Sequence, residues 1–488
     1  MQSIPLYSLI TLLLICSGCA VNPVTGQQDL VLLSEQDEIA LGRQSHQQVL
    51  QQYDVYDNKE LQRYVQDTGA KIAGKSHRNN LIYRFTVLDS KDINAFALPG
   101  GYIYITRGLL AYLKSEAELA AVLGHEIGHV TARHSVRQYS AVQLANIGAT
   151  LGSILIPGMN QPMTNQLVQV FGTALLRGYG REHELEADGL GAEYLARNGY
   201  DPEAMLDVIR ALKSQEQFET QLAQAEGREP NIYHGLFSTH PDNDTRLQEV
   251  ITRARKLKAA VPNAYSGQGQ FMHLVDNMIY GDSPHDGIVR GRRFFHADLG
   301  FTISFPQGWN VRNLPDSLIL VAPNGEALQQ LSVEDINERI PPRQFMAQRL
   351  GLANLSREGA VNIHGLDAYT GIAVINTDFG RRPARFNVIY FNNQAYILAG
   401  ITKNPDAIGL FDPAFQETAN SFHSMTPNEQ VLAMPLRLKI MQTEESTNFR
   451  QLASQSPLEH NAEQLLRLLN GKFPEGEPHP GELIKIVQ

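Results

Sequence analysis

The chain has 488 residues, which is enough for two or three domains of ordinary size. Hydrophobic residues make up 43% of the sequence and charged residues 19%, which is typical of packed globular proteins. There are 41 basic against 51 acidic residues, and no long basic run. This balance argues against a general nucleic-acid binder, because neutralising phosphates requires clustered Lys and Arg.

Both cysteines, Cys16 and Cys19, lie in the N-terminal stretch LITLLLICSGCAVNP. The apolar run before them has signal-peptide length and is too short to span a bilayer. The triplet Ser17-Gly18-Cys19 resembles a bacterial lipobox, which predicts a signal peptide over 1–18 and lipidation of Cys19. The alternative is a Cys-x-x-Cys redox pair, but that motif requires a strand-to-helix turn inside a folded domain.

The segments that follow alternate between helical and strand patterns. We predict a helix beginning near Glu35 and another over 58–76, where apolar residues share one face. The segments LIYRFTVLDS and GYIYITRGLL alternate as strands do. Ser115 and Glu118 form a capping-box pattern, which predicts the start of a further helix.

A second helical block is predicted over about 141–226. Its first part, AVQLANIGATLGSILIPGM, is apolar and rich in small residues. We interpret this part as a buried core helix. The alternative is a mobile flap over a cleft or a lipid-facing surface.

The segment LGHEIGHVTARH, within the predicted helix, has the spacing of a metal site. His125 and His129 are four residues apart and therefore project from one helical face. Glu126 lies beside them, where a general base for a metal-activated water belongs. Gly124 and Gly128 each cost the helix about 1 kcal/mol relative to alanine, which close packing against another element would explain. A catalytic zinc site needs three protein ligands, so a third ligand is required.

The segment GREHELEADGLGAEYLARNGY offers that third ligand. Its helical periodicity places Glu184 and Asp188 on an inward face, where a carboxylate is costly unless it binds a cation. Asp188 suits an acceptor for an imidazole N–H of a ligand. His183 is an alternative ligand, and His134 is another, although five residues after His129 it is predicted to point away. The periodicity also predicts a charged, solvated face formed by Glu182, Glu186, Glu193 and Arg197.

The sequence HEIGH followed by ELEAD resembles the M48 family of zinc metallopeptidases, which are of the gluzincin type. The segments NAFALPGGYIYITRGLL and STHPDNDTRL also resemble that family, and GCAVNPVTG is similar to the leaders of its periplasmic lipoprotein members. The resemblance covers about 20–260. It implies a mainly helical, zincin-like peptidase domain over 19–262.

The resemblance also implies roles for individual residues. One Zn²⁺ would be held by His125, His129 and Glu184, with Glu126 as the base and Asp188 behind the ligands. Asn94 and Ala95 would offer backbone contacts to an extended substrate. His240 and Arg246 would donate to the oxyanion, or His240 would occupy the fourth zinc position and hold the enzyme shut. The simplest alternative is that His240 is a loop residue held by Pro241.

Beyond the resemblance the chain predicts further domains, giving an α+β fold class overall. A linker is predicted over 263–293, followed over 294–427 by an α+β domain with a mainly antiparallel sheet. The stretch FTISFPQGW is similar to the Mog1/PsbP-like α/β/α sandwich. The segment 433–488 resembles a LysM module in its βααβ order, but it has TEEST where that module opens with Gly-Asp-Thr.

These features together predict a zinc-dependent endopeptidase that acts on unfolded or misassembled cell-envelope proteins. It is expected in the periplasm, anchored to the outer membrane through the lipid on Cys19, because Ala20 rather than Asp follows that cysteine. Peptidoglycan is a candidate partner of 433–488, and no nucleic acid is expected. The alternative function is a chaperone-like or cell-wall-binding scaffold with a closed, self-inhibited metal site.

Overall fold

The computed structural model describes residues 19–141, 179–226, 230, 243–314, 317–377 and 380–488. The chain divides into two compact units, one formed by Met1–Tyr280 with Arg437–Gln488 and the other by Gly281–Leu436. Almost all of the apolar segment AVQLANIGATLGSILIPGM lies outside the described residues. In the part of the chain that is described, each helix is too short or too polar to cross a membrane.

The first unit contains two small sheets in its N-terminal part. Their strands are β1 (Cys19–Val21), β2 (Gln28–Leu30), β3 (Arg84–Leu88), β4 (Ala95–Leu98) and β5 (Tyr102–Thr106). β1 pairs with β2. In the other sheet, β5 lies between β3, which is parallel to it, and β4, which is antiparallel to it. The strand order β3-β5-β4 makes β4 an edge strand.

Most of the first unit is helical. Its N-terminal part contains α1 (Glu35–Gln52), α2 (Lys59–Ala73), α3 (Arg107–Tyr112), α4 (Glu116–Thr131), α5 (Arg181–Arg197), α6 (Ala204–Glu226), α7 (Asn243–Lys258) and α8 (Gln268–Val275), and the short strand β6 (Ile279–Tyr280). α4 begins where Ser115 Oγ accepts the N–H of Glu118 at 3.1 Å. The other half of the predicted capping box is replaced, because Glu118 Oε2 accepts from Lys114 N–H at 2.7 Å. Every residue of α4 is buried, so it is the central helix of this unit.

The second unit is built on antiparallel sheets. Its strands are β7 (Ile288–Arg290), β8 (Arg293–His296), β9 (Phe301–Ser304), β10 (Asn310–Leu314), β11 (Ser317–Val321), β12 (Ala327–Asp335), β13 (Ser356–Ile363), β14 (Leu366–Thr377), β15 (Gly380–Phe391), β16 (Gln394–Thr402) and β17 (His423–Ser424). Seven of them form a sheet in the order β10-β11-β12-β16-β15-β14-β13, and four form a second sheet in the order β17-β9-β8-β7. The helices are α9 (Pro342–Gln348), α10 (Ile408–Asn420) and α11 (Pro427–Leu432). The predicted antiparallel sheet and mixed α and β composition are confirmed.

The C-terminal segment has the predicted order of strand, helix, helix and strand: β18 (Leu436–Gln442), α12 (Phe449–Gln455), α13 (Ala462–Leu469) and β19 (Leu483–Val487). It joins the first unit through a sheet in the order β19-β18-β6. Lys485 of β19 is fully buried, and its Nζ donates to the carbonyls of Ala111, at 2.5 Å, and Leu113. Burial lowers the pKa of Lys485 to about 7, against the opposing attraction of the Glu118 carboxylate.

Candidate metal centre

Two buried helices, α4 and α5, pack closely through small residues. Gly124 faces Gly191, and Gly128 faces Ala187. A Cβ on Gly128 would lie 3.0 Å from the carbonyl oxygen of Ala187, which is closer than an ordinary van der Waals contact. The close packing expected from the helix glycines is therefore present. It brings the histidines of α4 up to the carboxylates of α5.

Three side chains meet at this crossing: His125 and His129 from α4, and Glu184 from α5. Each is buried, and their ligand atoms all lie within 4.8 Å of one another. The two Nε2 atoms are 2.9 Å apart, and the Glu184 oxygens lie 3.6 Å from His125 Nε2 and 3.5 Å from His129 Nε2. In a tetrahedral zinc site with bonds of ~2.0–2.1 Å, neighbouring ligand atoms are about 3.3 Å apart. The two imidazoles and one carboxylate therefore fit a zinc ion in both chemistry and spacing.

Two further carboxylates adjoin this group. Glu126 is 1% exposed and follows His125 directly on α4. Asp188, which is fully buried one turn after Glu184, has its Oδ1 2.8 Å from His125 Nδ1. Asp188 is thus in contact with the far side of a candidate ligand, as the periodicity of α5 suggested. An uncompensated pair of buried carboxylates would be costly, which favours a cation at this crossing.

The residues behind His129 differ from the sequence interpretation. His134 does not point away, because its Nδ1 lies 2.8 Å from His129 Nδ1. Glu186 is only partly exposed, with 25% of its side-chain surface accessible, and its Oε2 contacts His134 Nε2 at 3.1 Å and Arg137 Nη1 at 3.0 Å. The hydrogen bond from His134 lowers the pKa of Glu186 to about 2. Helical spacing alone could not identify these contacts, because His134 lies beyond the end of α4.

Aromatic rings cover the same side of the group. The Tyr179 ring stacks on His129, with 4.1 Å between ring centroids. His183, considered above as a ligand, instead stacks on His134 at 4.3 Å. Burial lowers the pKa of His183 to about 4 and, together with the nearby charges of Glu126 and Glu184, raises that of Tyr179. The Tyr179 ring was not identified from the sequence.

The remaining predicted site residues lie beside an edge strand, in α7 or outside the described residues. The N–H of Asn94 donates to Thr106 Oγ1 at 3.1 Å, and its carbonyl accepts from the N–H of Thr106 at 3.0 Å. Because backbone groups alternate in direction along an antiparallel strand, the N–H and carbonyl of Ala95 point away from β5, although Ala95 itself is fully buried. His240 lies outside the described residues, and Arg246 lies within α7.

Solved structures resemble parts of the chain only weakly. Cyanobacterial PsbP from Synechocystis has 15% identity and a TM-score of 0.23, covering 30% of this chain and 98% of that one. Mog1p from Saccharomyces cerevisiae has 9% identity and a TM-score of 0.19, covering 26% of this chain and 90% of that one. These similarities are too weak to assign a fold family to the second unit.

Curated relatives match the part of the chain that contains the metal centre. The beta-barrel assembly-enhancing protease of Escherichia coli K12 is 31% identical, over 41% of this chain and 40% of its own length. The same-named protein of Yersinia pestis is 29% identical over 53% and 52%. The mitochondrial metalloendopeptidase OMA1 of Arabidopsis thaliana is 32% identical over 32% and 31%.

The chain thus spans about half or less of the length of the curated relatives it matches. A family model described as Peptidase family M48 matches residues 58–254, which include α4, α5 and all three candidate ligands. Together with the relatives and the ligand geometry, this match shows that the chain contains a peptidase family M48 domain.

Proposed function

We propose that this chain is a zinc-dependent endopeptidase with its active centre at the crossing of α4 and α5. One observation carries the proposal: His125, His129 and Glu184 converge with zinc-like spacing, and Glu126 follows the first ligand on the same helix. Three protein ligands leave one tetrahedral position open, as catalytic zinc sites do. The assigned ligands are those expected from the sequence.

Glu126 and Asp188 have separate proposed roles in peptide hydrolysis. When bound, zinc supplies a Lewis acid that polarises a carbonyl and acidifies a water molecule. Glu126 would serve as the base, accepting a proton from the attacking water and returning it to the leaving amine. Asp188 accepts the Nδ1–H of His125, which fixes the ring so that Nε2 faces the metal.

An extended substrate would bind along β4 by strand addition. The N–H and carbonyl of Ala95 point away from β5 and are the candidates for main-chain hydrogen bonds to the substrate. Because Ala95 is fully buried, the residues that cover it would have to move aside first. Asn94 was expected to contribute in the same way, but its backbone groups are bonded to Thr106. We therefore assign the backbone contacts to Ala95. Arg246 keeps its proposed role at the oxyanion. His240 is proposed either to share that role or to occupy the fourth zinc position and close the site.

The proposed substrates are unfolded or misassembled proteins of the cell envelope. Two observations support this class: relatives are named as proteases that enhance β-barrel assembly, and the lipobox-like sequence ends at Cys19. A lipid on Cys19 would anchor the chain at the outer membrane, facing the periplasm. The predicted linker 263–293 contains α8, β6 and β7, and the second unit begins at Gly281 rather than at 294. We propose that 294–427 forms most of a Mog1/PsbP-like sandwich and that 433–488 is a LysM-like module whose candidate ligand is peptidoglycan.

The test is cleavage of an unfolded model protein by the purified full chain, with and without a chelator. Glu126→Gln should retain zinc and abolish cleavage, because it removes the proton acceptor but no ligand. Glu182→Gln, at an exposed position of α5, is the matched control and should cleave normally. Zinc content far below one per folded chain, or normal cleavage by Glu126→Gln, would refute the proposal. Bound zinc without any cleavage would favour the self-inhibited scaffold.

A further inference from the structure

The two candidate ligand rings face the metal position through the same atom. His125 Nε2 and His129 Nε2 are 2.9 Å apart, and both face the Glu184 carboxylate. A metal between them takes the lone pair of each Nε2, so each Nδ1 carries a proton and must donate it to an acceptor. For His125 the acceptor is Asp188 Oδ1, at 2.8 Å.

For His129 the partner is a second imidazole. His134 Nδ1 lies 2.8 Å from His129 Nδ1, and it can accept only in the tautomer whose proton is on Nε2. The Nε2–H of His134 then donates to Glu186 Oε2 at 3.1 Å, and Arg137 Nη1 donates to the same oxygen at 3.0 Å. The metal ligand thus determines the direction of each hydrogen bond from His129 to Glu186.

A turn in the backbone after α4 brings His134 into contact with His129. α4 ends at Thr131, and Arg133 has a φ of 54°, in the left-handed region that non-glycine residues seldom adopt. The Arg133 guanidinium is held by Glu38 Oε2, at 2.9 Å, and by the carbonyl of Leu33, at 3.1 Å. This turn redirects the chain, so that His134 returns towards His129 although it is five residues further on.

Packing holds the His134 ring in place. His134 is fully buried, and the His183 ring is stacked on it with 4.3 Å between centroids and 18° between planes. Tyr179 is stacked on His129 at 4.1 Å and 20°. The stacked rings therefore restrict the side-chain rotation of both His134 and His129. A neutral ring in this position can accept a hydrogen bond without adding charge to the site.

We propose that His134 is the positioning residue of the ligand His129, connecting it to Glu186 as Asp188 connects directly to His125. This inference rests on the proposed zinc site but adds a residue to it. The two ligands then have different hydrogen-bond acceptors. His125 donates directly to a carboxylate, whereas His129 donates to the neutral His134 imidazole, which in turn donates to the Glu186 carboxylate. Loss of the His134 acceptor leaves a buried N–H of His129 without its partner and weakens metal binding.

The test measures zinc affinity of the full chain by competition with a chromophoric chelator, and the visible absorption of the Co²⁺-loaded chain. His134→Phe keeps a ring for stacking but removes both nitrogens. We expect it to bind zinc about 10–100-fold more weakly and to shift the Co²⁺ absorption bands. His134→Gln loses the ring but keeps an acceptor and a donor, so it should recover most of the lost affinity.

The two variants separate hydrogen bonding from packing. Wild-type affinity in His134→Phe, or an equal loss in His134→Gln, would overturn the proposal. If His134→Phe does not fold, Glu186→Ala provides the test. We expect Glu186→Ala to bind zinc more weakly and the exposed control Glu182→Ala to bind it normally. Unchanged zinc affinity in Glu186→Ala would overturn the proposal. Failure of the wild-type chain to bind zinc would refute the proposed function itself, whereas tight binding by every variant would refute only this inference.

Discussion

Alanine substitutions at the two glycines of α4 should have different effects on stability. A Cβ on Gly124 would meet Gly191 Cα and O at 3.4 Å, which is ordinary van der Waals contact. A Cβ on Gly128 would meet the carbonyl oxygen and Cα of Ala187 at 3.0 and 3.1 Å. Since both of these atoms belong to the backbone, relief at Gly128 requires α4 and α5 to move apart.

The magnitudes follow from helix propensity and overpacking. Each substitution gains about 1 kcal/mol of helix propensity. At Gly124 nothing opposes this gain, and we expect a free energy of unfolding higher by ~1 kcal/mol. At Gly128 the overpacking costs about 1–3 kcal/mol, which cancels or exceeds the gain. We therefore expect Gly128→Ala to be less stable than Gly124→Ala by roughly 1–3 kcal/mol.

The assay is urea unfolding of the full chain in the presence of chelator, followed by helical circular dichroism, with zinc affinity measured separately. Gly269→Ala in α8 is the control for propensity alone, because no atom lies within 4 Å of its Cβ position. Ala187 lies three residues after Glu184, so separation of the helices should also weaken zinc binding in Gly128→Ala. Equal stability of Gly124→Ala and Gly128→Ala, with equal zinc affinity, would refute the packing argument.

Three further predictions concern Cys19, His240 and Lys485. Cys19→Ser should release the protein from the membrane fraction; sedimentation with membranes in high salt would contradict lipid anchoring. His240→Ala should raise proteolysis of an unfolded substrate if His240 closes the site, whereas a lower rate would assign it to the oxyanion. Burial lowers the folded pKa of Lys485 to about 7, so folded chains release this proton before unfolded chains do, and stability should rise between pH 7 and about 10. Lys485→Met should lack that rise in urea unfolding, and an equal rise in the variant would contradict it.

The sequence predicted those features that depend on spacing within one element. His125 and His129 share a face because α4 is regular, and Glu184 could be separated from its neighbours because α5 is regular too. The mainly antiparallel sheet of the second unit was also predicted. Each of these predictions uses a period of 2 or 3.6 residues and requires no knowledge of distant contacts.

Features that depend on backbone turns or distant contacts were missed. His134 was predicted to point away because helical spacing was extended past Ala132, whereas the left-handed conformation of Arg133 turns the chain back. That conformation depends on Glu38 and Leu33, about one hundred residues earlier. The burial of Lys485 against the carbonyl of Ala111 likewise joins residues 374 apart in the sequence. No local pattern carries such information.

Metal binding and the packing of α4 on α5 are therefore thermodynamically coupled. α5 contributes Glu184 to the metal position and Asp188 to His125, and Glu186, two residues after Glu184, accepts from His134. Movement of α5 along α4 would change these contacts together, because a helix moves as a rigid element. A bound metal must in turn stabilise the helix crossing, since any ligand that binds only the folded state raises the free energy of unfolding. The glycines of α4 thus affect metal affinity through helix packing, although they are not ligands.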